Sequence, residues 1–282
     1  MDLGLITAIA GGVTAVGAIS YAAFVEPYNI RVVDLKLSFH NLPEAFDGYT
    51  ILHLSDFHSR KLGRLERRLM RLLSRREVDT CFVTGDVTHE PRASDVFRRI
   101  CSVVRHKDPL FMVLGNSEHK PWVDTATLVD ALSFDGLTML INENTEIRRR
   151  GQRICLVGVD DPYTQRSCIE RAFEGVDRGA FTILLCHCPS VAPDGIRLGA
   201  DLVLAGHTHG GQVRIPGVRW FWTHMRRNKS LNDGLYLPER LKRLAGIDAG
   251  GSALFVNRGI GTSRLYVRFC CPPEIAYITL SR

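Results

Sequence analysis

The sequence predicts an α/β fold of the α+β type: a four-layer αββα sandwich of two mixed β-sheets flanked by helices. Three observations lead there. Short apolar runs rich in β-branched and aromatic residues recur at 51–55, 81–84, 110–114, 181–186 and 201–205. Helical periodicity alternates with them at 61–76, 93–106 and 125–132, and a hairpin at 145–159 breaks the rhythm. Each apolar run is followed at once by a carboxylate, a carboxamide or an imidazole: Asp56 and His58, Asp86, Asn116, His187, then His207 and His209.

The chain opens on residues 3–25, which carry no charge. A helix of that length spans about 35 Å, against about 30 Å for a bilayer core, so the stretch is expected to be a transmembrane anchor over 1–26. A cleaved signal peptide and a buried soluble helix are the alternatives; Met1 and Asp2 supply no basic leader, while Gly4, Gly11, Gly12 and Gly17 dilute the hydrophobicity. Every one of the 36 Lys and Arg lies at or beyond Arg31, and only Asp2 and Glu26 of the 30 acids precede it. Cations after the span favour a single-pass inner-membrane protein with a cytoplasmic catalytic domain. The eight cysteines show no disulfide framework and no zinc-type pair, as expected of reduced thiols.

Residues 27–48 form an extended lead-in whose 30–37 segment alternates like an edge strand. The helix over 61–76 buries Leu62, Leu65, Leu69, Leu72 and Leu73, and turns Arg64, Arg67, Arg68, Arg71, Arg75 and Arg76 outward. That basic face is either solvated or a contact for anionic lipid headgroups. Strand 78–84, helix 93–106, strand 110–114, helix 125–132 and strand 137–141 follow; the hairpin pairs 145–148 with 153–159. Within 210–246, Trp220-Phe221-Trp222 and Arg226-Arg227 mark either core packing or a loop at a membrane interface. No repeat or linker marks a further domain, so 27–282 is expected to be one unit.

The polar residues at the strand ends suggest a dinuclear metal site. Two divalent ions about 3.5–4 Å apart clamp a phosphoryl group and make a nucleophile from water. A donor set of nitrogen and oxygen without thiolate suits Mn, Fe or Zn. Asp56-x-His58, Gly85-Asp86, Gly115-Asn116, His187 and Gly206-His207-x-His209 together resemble the signature of the calcineurin-like metallophosphoesterase superfamily over roughly residues 48–282. The tail from Asn257 to Ile275 further resembles a bacterial membrane-anchored branch that includes a UDP-2,3-diacylglucosamine pyrophosphatase of lipid A synthesis.

The resemblance implies that Asp56, His58, Asp86 and His209 hold one ion. Asp86, Asn116, His187 and His207 would hold the other, with Asp86 bridging and Asp86 and Asn116 at the catalytic centre. It implies a phosphate-containing substrate, a nucleotide-linked lipid being the concrete expectation, and little affinity for nucleic acid. A nuclease attracted by the net charge of +6 is the second reading; a non-catalytic scaffold is the third. One departure stands out. Related enzymes place a histidine after the Asn, where this chain has Ser117. Either His119 reaches back as the catalytic proton donor, or the leaving group is itself a phosphate, whose second pKa of about 6 makes a donor unnecessary. Ser117, Arg258 and Arg268 are the expected substrate contacts, and His53 is expected to be structural.

Overall fold

The computed structural model describes residues 3–215, 225 and 228–282. One sheet runs, edge to edge, Arg31–Ser38, Glu274–Ser281, Thr50–Leu54, Thr80–Thr84, Leu110–Val113 and Leu137–Met139. The other runs Gly234–Tyr236, Ala253–Val256, Leu202–Ala205, Thr182–Leu185, Gln152–Gly158 and Glu143–Arg149. Four strands of the first sheet, from Thr50–Leu54 to Leu137–Met139, are mutually parallel, as are the four central strands of the second. Their C-terminal ends therefore share one edge in each sheet. The C-terminal strand Glu274–Ser281 inserts between Arg31–Ser38 and Thr50–Leu54, leaving the lead-in as the expected edge strand.

The four layers follow from strict alternation along the strands. Leu52, Leu54, Val83 and Met112 face outward onto α2 (Arg64–Leu73), α3 (Ser94–Cys101) and α4 (Thr125–Leu132) through Leu69, Phe97 and Leu128. Their neighbours Ile51, Phe82 and Phe111 face inward and meet Ile183, Leu185 and Leu204 of the second sheet. Leu184 and Val203 point the other way, onto α5 (Ile169–Ala172), α6 (Ala192–Leu198) and α7 (Pro238–Ala245). Burying each such side chain contributes about 1.5–3 kcal/mol, so three apolar layers fix how the two sheets sit on each other.

Local chemistry trims the expected elements. Helix α2 begins only at Arg64, because the Glu66 carboxylate accepts the Gly63 N–H at 2.8 Å and sets the first turn there. The expected helix 93–106 ends at Cys101; Arg105–His106 instead pairs with Glu77–Val78 in a small parallel sheet. Asp79, whose carboxylate accepts the Thr50 N–H at 2.8 Å, breaks the expected strand 78–84 in two.

The expectation of a membrane anchor is overturned. Residues Leu3–Phe24 do form a helix, α1, but among the described residues no helix is long and apolar enough to cross a membrane. Much of its length is Ala, Gly, Thr and Ser, which contribute little of the transfer free energy that Leu, Ile, Phe and Val supply. The expectation of single-pass inner-membrane localisation falls with it. The stretch Trp220-Phe221-Trp222, with Arg226 and Arg227, lies outside the described residues.

Candidate metal centre

Five turns at the C-terminal ends of parallel strands carry the polar residues. Because the two sheets present these ends side by side, ligands from both converge. His187, at the end of Thr182–Leu185, donates through Nδ1 to the carbonyl of Thr84 in the other sheet at 2.7 Å. That bond fixes the tautomer and leaves the Nε2 lone pair facing inward. There it lies 3.4 Å from Asp86 Oδ1 and 3.2 Å from His207 Nδ1. On the other flank, Asp86 Oδ2 lies 3.4 Å from His58 Nε2. The His58 and His209 Nε2 atoms are 3.1 Å apart, and His209 Nε2 lies 3.3 Å from Asp56 Oδ1. Six of the seven expected ligands thus form one continuous chain of contacts, and Asn116 joins Asp86, His58, His207 and His209 on the wall of a single cleft of about 820 Å³.

The backbone is bent to achieve this. Asp56, His58, Asp86, His207 and His209 all have positive φ, from 47° to 70°. Left-handed non-glycine residues cost on the order of 1–3 kcal/mol each and persist where function over-determines them. Two glycines allow the close approach. A Cβ at Gly115 would collide with Asp86 Oδ1, and one at Gly206 with Ser55 Oγ and Asp56 Oδ2.

Charge is crowded here and largely out of water. Burial, opposed by His187 and reinforced by Asp86, pushes the Asp56 carboxyl up to about 6. Burial would raise Asp86 too, but His187 and His58 outweigh it and hold that carboxyl well below its usual range. For His187 burial acts downward, yet Asp86 and then Asp56 push the imidazole well above its ordinary value. Burial holds His58 down at about 4. Asp56 Oδ2 is engaged by Ser55 Oγ at 2.7 Å and the His207 N–H at 2.9 Å, whereas the buried Asp56 Oδ1 and Asn116 Oδ1 accept no hydrogen bond among the described residues. Inward-facing imidazole nitrogens, two carboxylates and a carboxamide oxygen without a donor are the donor set a divalent cation needs. The closest groupings of His and Asp are Asp56 with His58 and His209, and Asp56 with Asp86 and His187.

Three further candidates lie off the cleft wall. His119 does not reach back: its Nε2 donates to Asp160 Oδ1 at 2.6 Å and its Nδ1 lies 3.3 Å from Thr125 Oγ1, away from the cleft. Arg268 is fully buried and spends its guanidinium on the carbonyls of Arg258, Gly259, Gly261 and Cys271. Arg258 is held by Asp233 at 3.0 Å and by Glu274. Neither arginine lines the cleft. Ser117 does, with Oγ 3.3 Å from His58 Nδ1.

Sequence reasoning missed Glu118. Its buried carboxylate accepts the N–H groups of Gly115 (2.8 Å), Asp86 (3.0 Å), Val87 (2.7 Å) and Thr88 (3.2 Å). It therefore ties the Asp86 turn to the Asn116 turn. Burial and then the Asp86 charge push its carboxyl up to about 8, against the pull of those donors. An acid two residues past the Asn was the available signal. His53, as expected, is structural: it bonds Thr84 Oγ1 at 2.9 Å, and burial lowers it to about 3.

Strand-end carboxylates and imidazoles gathered between two parallel-stranded sheet edges form a candidate divalent-metal centre, and the family match makes the chain a phosphoester hydrolase. Residues 49–211 match the calcineurin-like phosphoesterase family, and the chain belongs to it. It is 28% identical over 277 residues to the uncharacterized metallophosphoesterase YkuE of Bacillus subtilis (strain 168), covering 96% of this chain and 92% of that protein. It is 25% identical to the phosphodiesterase YaeI of Escherichia coli (strain K12), over 97% of this chain and 96% of the relative. A 155-residue stretch is 27% identical to the UDP-2,3-diacylglucosamine pyrophosphatase LpxG of Chlamydia trachomatis serovar D, covering 55% of this chain and 45% of that one.

Proposed function

We propose that this hydrolase cleaves a phosphodiester or pyrophosphate using two divalent ions, Mn, Fe or Zn. Asp56, His58, Asp86 and His209 hold one; Asp86, Asn116, His187 and His207 hold the other. The observation that carries the reading is the placement of Asp86, whose two oxygens each lie 3.4 Å from an imidazole of a different set. Bound ions would polarise the phosphoryl group and lower the pKa of water.

The chain's own residues do the positioning. Ser55 and the His207 N–H turn Asp56 Oδ1 inward. Thr84 holds the proton of His187 on Nδ1, so Nε2 is free to bind. The Ser117 N–H, 2.7 Å from Asp86 Oδ1, orients the shared carboxylate, and its hydroxyl lies 3.3 Å from His58 Nδ1 at the cleft wall. A catalytic unit over 27–282 fits the continuity of both sheets from Arg31 to Ser281. UDP-2,3-diacylglucosamine is the most specific candidate substrate, supported by the name of the LpxG relative alone.

The full chain should contain stoichiometric divalent metal by elemental analysis and, in a panel of monoesters, diesters and UDP-2,3-diacylglucosamine, release nucleoside monophosphate from the last. Asp86→Ala should lose at least one ion per chain and at least about 10³-fold in activity, the scale for losing a group that sets the transition-state charge. Failure to bind metal, or to turn over any member of the panel, overturns the reading; hydrolysis of simple diesters alone overturns only the lipid substrate.

A further inference from the structure

The cleft over the metal centre carries more positive charge than that centre needs. Lys61, Arg64, Lys120 and Arg264 all line it, and among the described residues none of the four makes an ion pair. Arg64 lies over the Tyr28 ring at 4.6 Å and Lys120 beside the Trp122 ring at 5.5 Å. Those aromatic contacts hold the cations without neutralising them. A fifth cation on the wall, Arg60, is 3.7 Å from Glu90. The acids on the wall are Glu66 and Asp86. Glu66 is buried and occupied by Ser59 Oγ and the Gly63 N–H, and Asp86 belongs to the centre itself. Cations gathered in a cleft without counter-ions focus a positive potential that only an anionic ligand discharges.

Resting on the function proposed above, we infer that Lys61, Arg64, Lys120 and Arg264 form a subsite for a second phosphate, so that the substrate is a diester of pyrophosphate rather than a singly charged phosphodiester. The same residues explain the missing histidine. A water oxygen bonds to the phosphorus at the metal centre, the bridging P–O bond breaks, and its electron pair leaves on the bridging oxygen as a phosphate monoester. Water's two protons end one on each product, or in solvent above about pH 6, the second pKa of a phosphate monoester. Such a leaving group needs charge compensation more than a proton. The cleft supplies that: cations stand around it, Ser117 occupies the expected donor position, and His119 is tied to Asp160. His89, which also lines the cleft, has its Nε2 3.6 Å from Glu90 Oε1.

The test compares two probes with the Mn-loaded full chain: diadenosine 5′,5″-diphosphate, a diester of pyrophosphate, and bis(p-nitrophenyl) phosphate, a diester with one charge. Lys120→Ala, Arg264→Ala and Lys61→Ala, singly and combined, should each lower the ratio of kcat/KM for the first probe over the second by at least about ten-fold, the scale of one charge-assisted phosphate contact. A second measurement needs no turnover. With EDTA present, titration calorimetry of methylenediphosphonate should show binding to the wild type that weakens at least ten-fold in the triple variant and falls with salt. An unchanged ratio with unchanged diphosphonate binding overturns the subsite and leaves the metal-centre reading standing. A wild type that hydrolyses neither probe overturns that reading instead.

Discussion

Glu118→Gln isolates the residue that joins the two halves of the metal centre. Its carboxylate accepts four backbone N–H groups, two on each oxygen. A glutamine keeps one acceptor oxygen, and its NH2 then faces two N–H donors in a site without water access. Each buried donor left without an acceptor costs about 1–3 kcal/mol, so the substitution should cost about 2–6 kcal/mol. For a chain of this size that lowers Tm by roughly 5–20 °C. Calorimetric melting in EDTA at pH 7.5 reads this loss free of metal binding; metal affinity, measured separately, should drop about 10- to 100-fold as the Asp86 and Asn116 turns lose their tie. The elevated pKa of Glu118, about 8, sets up the opposite outcome. A protonated carboxyl presents an O–H that glutamine's NH2 mimics, and the exchange would then cost little. A Tm within about 2 °C of wild type, less than about 1 kcal/mol here, refutes the four-acceptor account.

Two shorter predictions concern other buried charges. Arg268→Met removes the guanidinium that the carbonyls of Arg258, Gly261 and Cys271 accept from, while Gly259 keeps the Glu274 N–H at 3.0 Å; it should lower Tm by on the order of 10 °C at about 1–3 kcal/mol per orphaned group, and a KM raised far more than Tm is lowered would restore Arg268 to the substrate. His53 is held at about 3 against its ordinary 6.5 by burial, so the unfolded chain binds the extra proton between those values. Its contribution is complete above pH 6.5 and is lost as pH falls through that window, about 2 kcal/mol of it by pH 5. Urea denaturation of His53→Gln in EDTA should lack that part of the acid lability, and an identical pH slope in both proteins would show His53 to be solvated.

The cluster of strand-end side chains was legible in the sequence because strand and turn chemistry is local. An apolar run followed by Asp56-x-His58 or Gly206-His207-x-His209 specifies both the strand and the residue at its exit, and parallel pairing does the rest. Glu118 was not legible as a clamp, since its partners at Asp86, Val87 and Thr88 lie some thirty residues away. The surroundings of Arg268 were hidden for the same reason: nothing in its neighbourhood announces that four carbonyls will enclose it. The C-terminal strand was missed because seven of its eight residues are buried, on both faces, and show no alternation to read. The anchor was misjudged by length: absence of charge is a weaker criterion than the transfer free energy of the residues present.

The foot of α1 bears on the metal centre through a short series of contacts. The Arg268 N–H donates to the Ala22 carbonyl at 2.9 Å, and the buried Glu26 carboxylate accepts the N–H groups of Cys270 and Cys271. Arg268 in turn gathers the carbonyls of Gly259 and Gly261, and the Gly261 N–H donates to the Asp56 carbonyl at 2.7 Å. The boundary after residue 26 therefore runs through a hydrogen-bonded junction. A truncation beginning at residue 21 keeps Ala22 and Glu26 and should retain metal affinity and melt within a few degrees of the full chain. One beginning at residue 29 removes the acceptors of three N–H groups, those of Arg268, Cys270 and Cys271, of which Arg268 and Cys271 are buried; at about 1–3 kcal/mol for each of that buried pair it should melt roughly 5 °C or more lower. The loop it loosens carries the backbone of Asp56, so its metal affinity should fall as well. Equal melting of the two truncations would mean that residues 22–28 are a passive lead-in and that the centre is held from the sheets alone.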